Sequence, residues 1–266
     1  MRVLLRPRWL VGTIVAVLLI VLFVNLGFWQ LRRLDEKRDR NAAIEDRSSR
    51  PVQPVDEVVD PEARFDEVGD LVYRRASARG RYDVDGEVRI RSRSLDGRPG
   101  LWVVTPLRLD DGTAVAVNRG FIPVSTDAPA PPRGEVEVTG LLFATQERQG
   151  IGPRDPTGRT LAELSRLDLD RLQQQYGPDL FPMWLQLQRQ DPPVDEAVGP
   201  LPLPPPEQDE GPHLSYAMQW FLFAAVGAIG WPVLLRRAAK DDERRRRREA
   251  STPPEDEAGR PLEAAR

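Results

Sequence analysis

The most apolar part of the chain reads WLVGTIVAVLLIVLFVNLGFW and extends from Trp9 to Trp29. A helix needs about 20 predominantly apolar residues to cross roughly 30 Å of hydrocarbon. At about 1.5 Å of rise per residue the two tryptophans would lie about 30 Å apart, at the depths where aromatic side chains anchor membrane helices. We therefore predict a first transmembrane helix over residues 10–31, after a cytoplasmic amino terminus of residues 1–9.

The basic residues before this run raise the alternative of a cleaved signal peptide, because Arg2, Arg6 and Arg8 precede the apolar core. The run is longer than the core of a usual signal peptide. The following FWQLRR of residues 28–33 contains no small-x-small cleavage site. We therefore expect this helix to remain as a membrane anchor.

A second apolar run, LSYAMQWFLFAAVGAIGWPVLL, extends from Leu214 to Leu235. Its length also suits a membrane span, which we place at residues 213–235. Small residues allow two helix backbones to approach closely in lipid, and this run contains Ala224, Gly227, Ala228 and Gly230. They indicate packing on the first helix or on a partner, with lipid-facing small residues as the open alternative.

The charges around the second run predict the orientation of both spans. Residues 191–212 contain no lysine or arginine, whereas eight basic residues lie between Arg236 and Arg248. By the positive-inside rule both termini are cytoplasmic and residues 32–190 are extracytoplasmic in a multi-pass protein of the cell membrane. The cations after the first run favour the opposite orientation, but carboxylates are interspersed among them and long loops translocate largely regardless of charge. These cations are Arg32, Arg33, Lys37, Arg38 and Arg40.

Residues 236–266 are predicted to form a basic, disordered cytoplasmic tail. Five consecutive arginines, Arg244 to Arg248, follow the second span closely. That position favours a topology signal or a contact with anionic lipid of the bilayer over a nucleic-acid site.

Between the two spans the sequence predicts an extracytoplasmic α+β domain rich in strands. Asp85-Gly86, Asp96-Gly97 and Asp111-Gly112 separate short β-favouring runs, and such pairs supply the positive φ angles of hairpin turns. An antiparallel meander or small barrel is therefore expected over residues 32–190, and one face of its sheet is expected to be exposed to solvent. Residues 191–212 contain eight prolines and are predicted to be a stiff connector. The β-favouring runs are residues 72–81, 87–92, 101–109, 113–118, 135–143 and 183–188, and residues 167–176 are predicted to form a short helix.

The residue inventory restricts the chemistry of the chain. It has no cysteine, one histidine, His213, and three methionines, which excludes thiol chemistry and argues against a copper or zinc cluster. No phosphate-binding glycine loop or nucleophile elbow is found. We therefore predict a binding protein and not an enzyme.

One group of residues stands out once both spans cross the membrane in opposite directions. Gln30 and Arg33 then lie at the same interface as His213, while His213, Tyr216 and Trp220 share one helix face at i, i+3 and i+7. A neutral imidazole can bind haem iron, and arginines at headgroup depth can pair with propionates. The plainer alternative is that His213 caps the helix or meets a lipid headgroup.

Three motifs follow one another along the chain. They are residues 26–33, LGFWQLRR, with Lys37; Thr105-Pro106-Leu107 with residues 117–123, VNRGFIP; and residues 213–221, HLSYAMQWF. In this order they resemble the Surfeit locus protein one family, whose patterns include Gly-x-Trp-Gln-x-x-Arg-x-x-x-Lys and His-x-x-Tyr-Ala-x-Gln-Trp-Phe. Phe121 stands where that family usually has tryptophan, and Glu36 where an aromatic residue often precedes the lysine.

The resemblance implies an assembly factor for an aa3-type cytochrome c oxidase of the respiratory chain. Such a factor would act as a haem chaperone, binding haem a and assisting its insertion into subunit one, with haem a synthase as a further partner. On this reading His213 is the axial ligand of the haem iron, surrounded by Gln30, Arg33, Tyr216 and Trp220. The alternative is a membrane-anchored module that stabilises an oxidase subunit through a loop at Asn118 to Pro123 and binds no cofactor.

Overall fold

The computed structural model describes residues 7–65, 67–124, 126–148, 150, 152–194 and 199–251. The chain forms two compact units, one from Met1–Asp39 with Asp209–Arg266 and the other from Arg40–Gln208. The first six residues of the predicted amino terminus and residues 252–266 of the predicted tail lie outside the described residues.

The first unit consists mainly of α4 (His213–Ser251) and of the part of α1 (Pro7–Ser49) that ends at Asp39. Each is long and apolar enough, by length and composition, to cross a membrane. Within this unit they run antiparallel, because ring contacts join Trp9 to Trp231 at 6.1 Å near one end and Phe28 to Phe221 at 5.3 Å near the other.

Small residues permit the close approach of α1 and α4. A Cβ added to Gly27 would lie 2.6 Å from the Phe221 ring, and one added to Gly227 would lie 3.2 Å from Ile20. Gly227 therefore packs on the first helix, whereas Gly230 has no heavy atom within 4 Å of its added Cβ. Packing on the first helix is thus confirmed for Gly227 and is not found for Gly230.

Both helices extend beyond the predicted spans. α1 continues through residues 32–49, which we had assigned to the β-rich domain, and α4 continues through 236–251, where we had expected a disordered tail. Ion pairs four residues apart stabilise the helical form of this charged sequence, because they lie on one side of a helix. In α4 they join Arg246 to Asp242 at 2.9 Å and Arg247 to Glu243 at 2.7 Å.

In its described residues the second unit is built on one mixed sheet of eight strands in the order β1-β2-β6-β8-β5-β4-β3-β7. The strands are β1 (Gln53–Pro54), β2 (Arg75–Tyr82), β3 (Val88–Leu95), β4 (Arg98–Arg108), β5 (Ala114–Pro123), β6 (Glu135–Ala144), β7 (Glu163–Leu164) and β8 (Met183–Asp191). Two short helices, α2 (Val55–Val58) and α3 (Leu169–Gln173), accompany it.

The prediction of an antiparallel, barrel-like domain is only partly right. Three strand pairs are parallel: β1 with β2, β3 with β7, and β5 with β8. β8 lies between β5 and β6 because the long segment before it carries the chain back into the middle of the sheet. β2 and β4 pair only at Arg81 with Arg108 and Tyr82 with Leu107, and the sheet is not a closed barrel.

The Asp-Gly turns explain the correct part of that prediction. Asp96-Gly97 has positive φ at both residues and joins the paired strands β3 and β4, as a tight hairpin requires. Asp111-Gly112 lies in the longer turn that joins β4 to β5, and there Gly112 has a positive φ while Asp111 does not. Asp85-Gly86 instead lies at a short 3-10 turn between β2 and β3, which are not neighbours in the sheet.

Strand β5 is buried on both faces, whereas the sequence predicts a sheet with one solvent-exposed face. Val115 and Val117 belong to one apolar core, while the alternate residues Ala114 and Ala116 belong to a second core on the opposite face. A strand covered on both sides lacks polar alternation, so its sequence does not reveal its faces.

The predicted connector contributes to this unit by pairing with the sheet. Leu201 and Phe121 exchange two backbone hydrogen bonds of 2.8 Å, and the carbonyl of Pro204 accepts from the amide of Gln186 at 3.1 Å. Proline lacks an amide hydrogen, so the leucine between the prolines supplies the backbone donor to β5.

Candidate functional site

The two polar residues at one end of the helix pair meet directly. Oε1 of Gln30 lies 2.7 Å from Nδ1 of His213, although 183 residues separate them in sequence. His213 is the first residue of α4 and Gln30 lies on α1, and both side chains are half-buried. One turn before Gln30, Gly27 allows the backbone of α1 to approach Phe221, which brings the two helices close enough for this contact.

The segment that leads into α4 is held by local hydrogen bonds. Gly211 adopts φ +70°, and its amide donates to Oδ1 of Asp209 at 2.9 Å. The amide of Tyr216 and the hydroxyl of Ser215 both donate to the carbonyl of Pro212, at 3.1 and 2.9 Å. The bond from Tyr216 to Pro212 spans four residues and is the first hydrogen bond of the helix.

The second imidazole nitrogen lies beside a residue without a side chain. A Cβ placed on Gly211 would lie 3.5 Å from both Cδ2 and Nε2 of His213. The Nε2 edge of the ring therefore borders space that any larger residue at position 211 would occupy. In this arrangement Nδ1 is engaged by Gln30 and Nε2 remains as the second donor or acceptor atom of the ring.

An ion pair lies about two helical turns beyond Gln30 along α1. Nε and Nη2 of Arg38 donate to the two carboxylate oxygens of Glu210, each at 3.1 Å. The hydrogen bond from Arg38 to Glu210 and the charge of that carboxylate raise the pKa of Arg38 above its ordinary value. The pair ties the segment before α4 to α1 at the end where His213 lies.

The other predicted site residues lie in separate contacts. Trp220 stacks on Phe23 with 5.6 Å between ring centroids. Tyr216 leaves 46% of its surface exposed, and exposed Arg33 donates to Glu36 on its own helix at 2.6 Å. Of the predicted set, the structure thus joins Gln30 and His213 directly.

A buried polar cluster in the second unit escaped the sequence analysis. Oε2 of Glu87 accepts from Thr105 Oγ1 at 2.7 Å and from Nη1 of Arg119 at 3.1 Å. Burial lowers the pKa of Arg119, and the charge of Glu87 acts in the opposite direction. Burial likewise raises the pKa of Tyr82, whose ring lies 5.6 Å from the Arg119 guanidinium.

This cluster joins the two halves of one sequence motif, since Thr105 comes from Thr105-Pro106-Leu107 and Arg119 from residues 117–123. The prediction of a loop at Asn118 to Pro123 is wrong, because these residues belong to β5. They are covered by β4 on one edge and by the bridge to Leu201. Glu87 directly precedes β3, but it follows Asp85-Gly86 and therefore resembles a turn residue in the sequence.

The part of the chain that the structure describes contains no cluster of side chains that could bind a metal ion by itself. Among those residues no three histidine, cysteine, aspartate or glutamate side chains come together in a way that could hold a metal. His213 could offer one ligand atom, which suits a metal that brings its other ligands with it.

Comparison with known proteins identifies the family. The sequence model described as the SURF1 family matches residues 17–225. The chain belongs to the SURF1 family. The resemblance drawn from the three motifs is therefore confirmed.

Relatives of this SURF1 family chain occur in bacteria and animals. A SURF1-like protein of Mycobacterium tuberculosis is 28% identical over 233 residues, which is 85% of this chain and 83% of the relative. A SURF1-like protein of Rickettsia bellii is 24% identical over 217 residues, covering 77% and 83%. Surfeit locus protein 1 of Takifugu rubripes is 28% identical over 156 residues, covering 51% and 62%.

The region that matches the SURF1 family includes both clusters described above. Gln30 and His213 lie near its two ends, and Glu87, Thr105 and Arg119 lie in its middle. The matched region thus contains both the imidazole at the start of α4 and the buried ion pair of the sheet domain.

Proposed function

We propose that this SURF1 family chain is a membrane-anchored assembly factor that binds haem a through His213 and assists its insertion into subunit one of an aa3-type cytochrome c oxidase. The family is known in general for factors of cytochrome oxidase assembly. The single observation that carries the haem proposal is the contact between Gln30 and Nδ1 of His213, with Nε2 of the same ring left beside Gly211.

Anchoring in a membrane is supported by the outer faces of the helix pair. Leu18, Val226 and Ile229 each leave more than 60% of their surface exposed within this unit. Exposed apolar area costs about 25 cal/mol per Å² in water, and lipid removes that cost. We assign residues 10–31 and 213–235 to the two spans, with both termini cytoplasmic and residues 32–190 outside.

A topology experiment tests the membrane part by itself. Reporter fusions after residue 50 and after residue 200 should both report the extracytoplasmic side, because two antiparallel spans place the whole intervening domain there. A cytoplasmic signal from either fusion would contradict the proposed membrane orientation.

Haem suits this site as a cargo because its macrocycle already supplies four nitrogen ligands to the iron. One imidazole then suffices from the protein, which matches the one histidine of the chain. The exposed cations Arg32 and Arg33, within a turn of Gln30, are candidates to pair with the propionates. Hydride, acyl or phosphoryl chemistry has no part in this proposal; the chain binds and releases its cargo, and subunit one and haem a synthase are the proposed partners.

The visible spectrum of the purified protein tests haem binding. Protein from cells that make haem a should carry a Soret band and an α band, and the His213→Ala variant should lose them. Imidazole added to this variant should restore the bands, because the truncated site can accept the free ligand. Met218→Leu is the matched control, since it removes another side chain able to bind iron from the same helix and should leave the spectrum unchanged.

Two results would contradict the proposal. An unchanged Soret band in His213→Ala would remove His213 from the site. A wild-type protein without pigment would instead favour the cofactor-free interaction module.

A further inference from the structure

The geometry points to a positioning role for Gln30: its side-chain amide holds the His213 imidazole in the tautomer that carries its proton on Nδ1. Nε2 then keeps the lone pair and is the atom that meets a metal. The identity of that metal as haem iron rests on the proposed function, whereas the tautomer is a property of the chain alone.

The chemistry of the two groups fixes the position of the proton. A glutamine Oε1 is an acceptor only, so with this atom 2.7 Å from Nδ1 we assign the donor role to Nδ1. In a neutral imidazole one nitrogen carries the proton and the other is free, which places the lone pair on Nε2. Histidines that bind metals are oriented in this way by an oxygen acceptor on the nitrogen opposite the metal.

The surroundings of the ring complete the assignment. Gly211 places no side chain of its own against the Nε2 edge, and the hydrogen bond from its amide to Asp209 holds the positive φ that few other residues adopt. Gln30 is itself held on α1 and not on a loop, so its amide reaches the ring from a rigid element.

Gln30 of α1 therefore fixes the orientation of the imidazole that α4 supplies. His213 stands at the first position of α4, where its side chain would otherwise be free to rotate and to exchange its proton between the two nitrogens. Loss of such a partner typically weakens metal affinity about 10–100-fold without removing a ligand, and that is the expected effect of Gln30→Leu on haem retention.

The single histidine makes the tautomer directly measurable in the haem-free, full-length protein in micelles. Labelling with 15N-histidine gives nitrogen resonances from His213 alone, and in alkaline buffer their shifts and proton couplings tell which nitrogen carries the proton. We expect the proton on Nδ1 in the wild type. Gln30→Glu keeps an acceptor oxygen and should preserve this state, whereas Gln30→Leu should shift the proton toward Nε2 or give a mixture.

Asn25→Leu is the matched control, because Asn25 is an amide on the same helix whose Nδ2 donates to Val21 and not to the ring. It should leave the His213 signals unchanged. A wild-type proton on Nε2, or Gln30→Leu signals identical to those of the wild type, would overturn the proposal. Since no haem is present, a failure of haem binding leaves this result standing, and the two proposals fail separately.

Discussion

Gly227 of α4 lies directly against Ile20 of α1, so close that a Cβ on the glycine would stand 3.2 Å from Cγ1 of the isoleucine. Both residues lie near the middle of the apolar runs. The contact therefore defines the register of the antiparallel pair, and that register is what brings Gln30 to His213.

The register predicts a disulfide. The chain has no cysteine of its own, so the double variant Ile20→Cys with Gly227→Cys should form one intramolecular crosslink on oxidation, because side chains at these positions are in reach of each other. Gel mobility after protease cleavage in the intervening domain measures it. Val226 is 62% exposed, and Ile20→Cys with Val226→Cys should crosslink far less. Equal crosslinking of both pairs would contradict the register.

Close packing at Gly27 predicts a loss of stability on substitution. In Gly27→Ala the new Cβ would lie 2.6 Å from the Phe221 ring, and overpacking of this kind costs about 1–3 kcal/mol. Gly230→Ala has the same change in helix propensity but no neighbour within 4 Å, and it should be neutral or stabilising. Unfolding in mixed micelles compares the two; equal stability of both variants would show that the helices do not pack at Gly27.

The buried ion pair of the sheet domain should be far more important for stability than an exposed one. Glu87→Ala leaves the guanidinium of Arg119, whose side chain is 2% exposed, without its carboxylate, and we expect a loss of about 3–5 kcal/mol in the free energy of unfolding. Glu135→Ala breaks the exposed pair with Arg79 and should cost only about 0–1 kcal/mol. Similar losses in denaturant unfolding would contradict the burial of the pair.

Tyr176 predicts a loss of stability in alkali. Burial and then the carboxylate of Asp83 raise its pKa to about 12, whereas an unfolded tyrosine has a pKa of about 10. Since the folded pKa is the higher one, the stabilising contribution is complete below pH 10 and disappears as the pH rises toward 12. The stability difference between wild type and Tyr176→Phe should therefore change across this interval in unfolding experiments. A difference that is independent of pH would contradict the raised pKa.

The sequence predicted those features that depend on local pattern. Apolar length revealed the cores of α1 and α4, and Asp96-Gly97 and Asp111-Gly112 revealed two hairpins, because each signal lies within a few residues. The insertion of β8 between β5 and β6 left no comparable signal, since it depends on contacts between distant segments.

The candidate site shows the same division. His213 and Gln30 were predicted through their motifs, but the 2.7 Å contact between them depends on the register of the helices. Glu87 was missed because its partners, Thr105 and Arg119, lie on two other strands. Whether a charged side chain is buried depends on the folded domain, so the residues next to it in sequence do not predict its burial.

Pulsed electron paramagnetic resonance of the haem-loaded protein, prepared with natural and with 15N-labelled histidine, tests the assignment of the iron ligand most directly. The label enters the protein only at His213 and leaves the haem nitrogens unchanged. We predict that the coupling of the axial nitrogen changes from the 14N to the 15N pattern, since the account places an imidazole nitrogen of His213 on the iron. Identical spectra from the two preparations would contradict it.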